Sequence, residues 1–448
     1  VARRMISTNA RFDAKHAALG RMPIYVFAIG GQATVYTTHD LVQQGITGTL
    51  PAYGAWLKTP QGASQSVDVL NGSASIGEMS LEVIEHAGAI RTLVGANVLE
   101  GSSATLSVGY SGMAYADFVT LNTYRIYKVL PSSSYTSWTF TARDLQLTAK
   151  RTISDHPENG EPLSESNPWF LQGTPAEICQ AIYLWCLGLD PSQLDRTALL
   201  ALDSEQQGLY KTVRPFQFRL TEAFEAKQFL ESEVYKVAAM HPLVDNLGRI
   251  SLRAFRAPAA GAAAAFAFDD SNMIVLPDID RMDITNEVIF QFDDEGGSFT
   301  NELVFIEETS VSLYGAANQQ NIESKGLRTE FGAWWFCEEV ARRLFRRFAG
   351  APGGLRGGAP IYSIQAFLMT LPVWVGDYVA ITHPLMPDIM TGAAGVVNRL
   401  MEVVDRTPDY AGGTMSYKLL DTGVTGQAAA HKFATSARNF LIGTSEVY

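Results

Sequence analysis

A chain of 448 residues with a formal charge of −12, 47% hydrophobic and 18% charged residues has a globular composition, and its length suits about three domains. The acidic balance excludes a main surface that grips nucleic acid, because phosphate binding depends on Lys and Arg displacing counterions. It suits either an acidic enzyme or a wall that nucleic acid slides past. Cys179, Cys186 and Cys337 form no disulfide framework and no CxxC pair, which points to a reducing cytoplasm and to core packing. No apolar run reaches the roughly 18 residues of a membrane span, so the reading is a soluble, unexported chain without a membrane span.

From about residue 23 to 145, strand follows strand. In "GEMSLEVIE" Met79, Leu81 and Val83 alternate with polar neighbours. "ATLSVGY" puts Ala104, Leu106, Val108 and Tyr110 on one face, and "SWTFTAR" does so with Trp138, Phe140 and Ala142. Residues 1–153 are thus expected to form an N-terminal β-barrel domain. The polar stretch "SDHPENGEPLSESNPW" marks a boundary. Thr174, Pro175 and Glu177 then make a capping box for a helix ending at Gly188, and Asp190 with Pro191 starts a second one. Residues 154–215 read as a helical insertion.

Residues 216–270 read as a small α/β domain. "FQFRL" is a strand leading into a helix capped by Thr221, "HPLVDNLGRISLRAF" is a hairpin turning at Asn246 and Gly248, and "RAPAAGAAAA" is an exit linker. Residues 271–425 read as a second β-barrel domain with one amphipathic helix. Its strands lie around "MIVLP", "EVIFQF", "ELVFIEE", "IYSIQAFLM" and "LPVWVGDYVAITHP", with a closing hairpin of "GVVNRLMEVVD" and "GTMSYKLLDTG"; "LYGAANQQNIES" is a strand or loop. Residues 426–448 form a C-terminal tail with a loosely docked helix. The fold class is α+β, mainly β: two β-barrel domains separated by an α/β insertion.

Chemistry-bearing motifs are sparse. There is no GxSxG elbow, HExxH, phosphate loop or GxGxxG after a strand, and the glycines from Gly350 to Gly358 follow a helix instead of opening one. His16, His39, His86, His156, His241, His383 and His431 share no ligand spacing. Asp278, Asp280, Asp283 and Glu287 lack the EF-hand glycine and read as strand-edge charges. Glu307 and Glu308 point to opposite faces of a strand and cannot converge on one bond. No catalytic, cofactor-binding or metal-binding residue is assigned, and the chain reads as no enzyme. A glycan-binding or glycan-hydrolysing β protein is the competing reading, with Glu302, Glu307 and Asp377 as its carboxylates.

One segment is locally basic: "GAWWFCEEVARRLFRRF". As a helix it places Cys337, Val340, Ala341, Leu344 and Phe348 on one stripe and its charges on the other side. Glu338 with Arg342 and Glu339 with Arg343 are i,i+4 pairs in the favoured order, each contributing about 0.3–0.5 kcal/mol. Arg342, Arg343, Arg346 and Arg347 are the candidate oligomer or partner interface, with Arg346 and Arg347 left for a neighbour.

The order of elements in the second half resembles the tailed-bacteriophage baseplate hub (tail hub) family. "SVSLYGAANQQNIESKGL", the helix, "LPVWVGDYVAITHP" and a closing hairpin follow in that family's order, with Tyr314, Gly315, Ala341, Gly376, Asp377 and Val379 on its recurring positions. "YRIYKVLPSSSYTSWTFTARDL" is similar to the strand pair closing the family's first barrel. The resemblance implies a ring-forming homotrimer in the virion tail tip, assembled in the host cytoplasm. Its six barrels would meet a tail tube or distal tail protein above and tip or fibre proteins below, with DNA passing through the bore unbound. A spike base of a contractile injection system shares the plan.

Overall fold

The structure is a computed structural model and describes residues 9–17, 22–210, 214–254, 262–315, 319–350, 357–388, 393–421 and 438–441. It is α+β and mainly β. The alternating segments of the first half form one seven-stranded sheet. In spatial order its strands are Ala52–Gly54, Thr34–Thr37, Pro23–Ile29, Ser103–Tyr110, Val119–Pro131, Ser137–Arg143 and Glu78–Ile84. Every second side chain is buried along Glu78–Ile84, as a strand with one face on a core requires. The sheet curls until its ends meet. The Leu57 amide donates to the Thr37 carbonyl at one edge (3.0 Å), while Lys58 donates to Glu82 at the other (2.9 Å). Residues 56–58 thus bridge the two ends of the sheet.

The second half forms an eight-stranded sheet. Its main path runs Phe266–Phe268, Tyr378–Pro387, Ala394–Asp409, Thr414–Leu420, Pro360–Phe367 and Met273–Arg281. The two strands at the ends of this path are consecutive in the chain. A turn closed by the Met273 amide on the Asp269 carbonyl (3.0 Å) joins them, so this sheet also curls. Two short strands from the first half, Gln65–Asp68 and Ser73–Ala74, complete it.

The two sheets are copies of one plan, matched in register. In the first, Ser103 pairs with Arg125, Arg125 with Arg143, and Arg143 with Glu78. In the second, Tyr378 pairs with Glu402, Glu402 with Leu420, and Leu420 with Ile361. One residue beyond that row each long strand carries a bulge, between Ile126 and Lys128 in one and between Val403 and Asp405 in the other. The bridge of Leu57 to Val83 has its counterpart in Met273 to Ala366. A glycine turn feeds each sheet in the same way. Gly101 N–H donates to Ile126 (2.8 Å) and Ile126 returns a bond to Ser102 (2.9 Å); Gly376 donates to Val403 (2.7 Å) and Val403 to Asp377 (2.9 Å). Only one strand differs in sense: Pro23–Ile29 joins antiparallel and Phe266–Phe268 parallel.

Between the sheets lies the insertion. Thr174 and Glu177 form the expected capping box for Pro175–Ala181, which continues as a π-turn to Cys186. Asp190 caps only a 3-10 turn, and the next helix is Arg196–Tyr210. Thr221 caps nothing: a short strand Phe224–Glu225 intervenes, and Glu225 is the N-cap of Ala226–Phe229. The hairpin Met240–Val244 with Ile250–Ala254 turns at Gly248, whose φ is +78° and whose missing Cβ leaves room for the Thr123 carbonyl. In the second half Glu308–Tyr314 is a helix, opened by the Val311 amide bonding to the Glu307 carbonyl; it takes only the first two residues of the expected strand or loop, in which Gln319–Glu323 forms a strand. A four-stranded sheet of Gln319–Glu323, Glu287–Asp294, Phe299–Ile306 and Arg438–Leu441 sits beside the helix Ala333–Phe348. Residues 438–441, expected in a helix, pair as a strand with residues 301–304. Most of the linker, the glycine loop and the tail lie outside the described residues. One hydrophobic core runs through both sheets and the insertion.

Gly101 and Gly376 both have φ above +80°, but a Cβ on Gly101 meets open space, whereas one on Gly376 lies 2.8 Å from Arg253. In urea titrations Gly101→Ala should cost about 1–2 kcal/mol, the left-handed penalty alone. Gly376→Ala should cost distinctly more; equal costs would contradict the crowded turn.

Candidate assembly interface

The helix Ala333–Phe348 forms where the i, i+3, i+4 pattern places it, and its stripe of Cys337, Val340, Ala341, Leu344 and Phe348 is buried. Its charged side is largely buried too. Arg347 is 4% exposed and contacts Glu402 of the strand Ala394–Asp409, itself 4% exposed. Arg343 is buried with its Nε 3.7 Å from Glu339, and the half-buried Arg342 contacts Glu338. Arg346 is exposed, as is Trp335 one turn from the other end. Of the four candidate arginines, therefore, Arg343 and Arg347 turn inward. Arg346, with the outer part of Arg342, is the part of this basic cluster that the helix exposes. The pairing of Arg347 across 55 residues to Glu402 carries no local sequence signal.

The Gly-Asp turn is a joint. Asp377 is 2% exposed; its carboxylate accepts from the Trp374 amide at 2.8 Å and lies 3.3 Å from Arg253 Nη2. Arg253 also donates to the Gly376 carbonyl, so the last strand of the insertion is clamped onto the second sheet. Burial raises the Asp377 carboxyl from its ordinary value while Arg253 opposes the shift. Beside it Arg406, fully buried, stacks on Trp374 with 4.3 Å to the ring centroid and donates to the Leu371 carbonyl. Neither Arg253 nor Arg406 was singled out from sequence. The bulge before Arg406 changes which face its strand position takes, and a plain alternation count does not reveal it.

The three carboxylates of the glycan-hydrolysing reading lie apart from one another in role and partner. Glu307 is buried at a helix start, Glu302 accepts from Gln291 at 2.8 Å, and Asp377 is locked in the joint. Among the described residues no three His, Cys, Asp or Glu side chains are grouped to hold a metal. Asp278 and Asp280 lie exposed on the edge strand Met273–Arg281. His16 is a clasp: its Nε2–H donates to the Met369 carbonyl (2.9 Å) and its Nδ1 accepts from Tyr110, which ties the helix Ala10–His16 to the first sheet and to the turn Leu368–Thr370 that follows a strand of the second. A cleft of about 700 Å³ opens between the insertion and the hairpin at Asp294. Its charges lean acidic, with Arg219, Lys325 and Arg328 against Glu165, Glu222, Glu225, Glu233 and Asp294, and burial raises the Glu233 carboxyl.

No protein family and no curated protein matches the chain by sequence. Solved structures do align with it. The prophage MuSo2 43 kDa tail protein from Shewanella oneidensis is 12% identical with a TM-score of 0.45, over 90% of this chain and 99% of that one. A tail protein from Neisseria meningitidis is 11% identical at 0.45, over 90% and 98%. Prophage tail protein gp18 from Listeria monocytogenes is 9% identical at 0.42, over 90% and 95%. All three are tail proteins, two of them of prophages.

Two measurements check the electrostatics. Arg347→Met or Glu402→Leu alone should cost about 3–5 kcal/mol in denaturant titration, because the remaining partner stays buried, and the two together should recover much of it. Strict additivity would contradict a coupled pair. Asp144, buried at the exit of the first sheet, accepts from Gly77 (2.7 Å) and Gln146 (2.9 Å), and burial pushes its carboxyl up to about 7. The folded value lies above the unfolded one, so its contribution is full below about pH 4 and is lost as pH rises through about 7. Wild type should therefore lose stability relative to Asp144→Asn across that window; a pH-independent difference would contradict it.

Proposed function

We propose that the chain is a structural tail hub: three copies form a ring in which the two sheets of each chain alternate. Six similar barrels then face a sixfold tail tube or distal tail protein, while the parts that differ, the insertion and the four-stranded sheet, present threefold symmetry to tip or fibre proteins. The observation that carries this reading is the register-level match of the two sheets, down to the bulge and the glycine turn. A chain holding two such units is suited to doubling the symmetry of its own ring, since cyclic assembly of three copies places six near-equivalent units around one axis. The net charge of −12 suits a bore through which DNA passes without adhering.

In this reading Arg346 contacts a neighbouring protein. Native mass spectrometry of the purified chain is expected to give three times the chain mass, and Arg346→Glu should weaken that assembly about tenfold while leaving the melting temperature of the monomer unchanged. A monomer at all concentrations, or a dimer, would contradict the ring; an unaffected Arg346→Glu trimer would remove the helix from the interface.

A further inference from the structure

The repeat has an unfilled position. Beyond its bulge, the long strand of the second sheet carries an extra partner on the side of Tyr378–Pro387: Gln65–Asp68 pairs there, Asp405 with Ser66 and Arg406 with Gln65. The matching residues of the first sheet are Lys128 and Val129. They pair with Thr141 and Phe140 on one side, and among the described residues no strand lies on the other. Around this edge Tyr127 is 52% exposed, Leu130 46% and Tyr135 73%, whereas Val404 and Arg406, at the filled position, are buried. An open edge with apolar side chains is a template for another strand.

The chain also contains a second strand of the type that fills the position. Gln65–Asp68 lies between the Leu57 bridge and the strand Glu78–Ile84. The same interval of the second repeat, between Met273–Arg281 and Pro360–Phe367, holds Gln319–Glu323. Among the described residues this strand ends its sheet, with Glu287–Asp294 as its neighbour. Gln320, Asn321, Ile322 and Glu323 follow Gln65, Ser66, Val67 and Asp68 in kind: an amide, a small polar residue, a β-branched residue and an acid. Val67 and Ile322 are buried, and Asp68 and Glu323 exposed. The exposed Arg125 and Lys128 beside the open edge complement that acid.

We propose that Gln319–Glu323 of one copy adds as a strand to residues 128–131 of a second copy. The proposal rests on the ring reading. The first repeat hands its segment to the second within one chain, and in a closed alternating ring the second hands its own to the first repeat of the next copy. Main-chain pairing supplies the affinity, and Leu130 and Lys128 set the fit.

The test uses the full chain with Lys128→Cys and Asn321→Cys together, the pair that corresponds in register to Asp405 and Ser66. Mild oxidation is expected to give covalent dimers and trimers on a non-reducing gel, and either single variant monomers only. Lys128→Glu with Leu130→Asp is expected to weaken assembly at least tenfold in sedimentation, with an unchanged melting temperature. A threefold wild type whose double-cysteine variant gives no intermolecular link, or links within one chain, overturns the strand exchange and leaves the ring standing. So does a threefold Lys128→Glu, Leu130→Asp variant of undiminished affinity. A wild type that is not threefold overturns both.

Discussion

Each half of the molecule depends on one pair of reciprocal main-chain hydrogen bonds. A glycine at positive φ turns the incoming loop so that its N–H reaches the long strand one residue before the bulge, and the next residue accepts in return: Gly101 and Ser102 on Ile126, Gly376 and Asp377 on Val403. The turn fixes the register of the strand that follows it. That register fixes which side chains enter the core, since a slip of one residue would invert every face. In both halves the bonds lie beside the bulge that bends the long strand, so turn, bulge and curl form one device used twice.

What differs between the halves lies around this shared frame. At the first turn, Leu99 and Ser102 are plain packing and polar positions. At the second, Trp374 and Asp377 occupy them, and Asp377 takes Arg253 from the insertion. The second long strand has Glu402 where the first has the exposed Arg125, and Glu402 receives Arg347 from the helix. The second sheet is thus tied by ion pairs to the insertion and to the helix beside it, while Arg125 at the corresponding position of the first is exposed. A buried pair of this kind contributes less to net stability than to fixing one arrangement, and here it fixes where helix and insertion sit on the barrel.

The strands were legible because one face of each is buried. Met79, Leu81 and Val83 announced theirs, and Thr174 with Glu177 announced a helix start. Two β-rich halves were expected from strand patterning and from the family resemblance, but the duplication cannot be read from residue identity, because it is kept in backbone register: Phe140 and Tyr417, or Ile126 and Val403, match only in being buried. Nor were the partners of the arginines. A charge count along one helix assigns Arg347 to solvent or to a neighbour, and only the tertiary structure brings Glu402 to it. The strand Gln319–Glu323 read equally as loop, since its polar sequence has a single inward residue, Ile322.

The central claim is that a doubled barrel makes a sixfold face from threefold assembly. Electron cryo-microscopy of the purified assembly, reconstructed without imposed symmetry, tests it most directly. The account predicts a ring layer with near-sixfold rotational symmetry and, away from it, density with threefold symmetry only. A ring in which the two sheets of each chain lie at different radii, or any closed assembly of other than three copies, would contradict it.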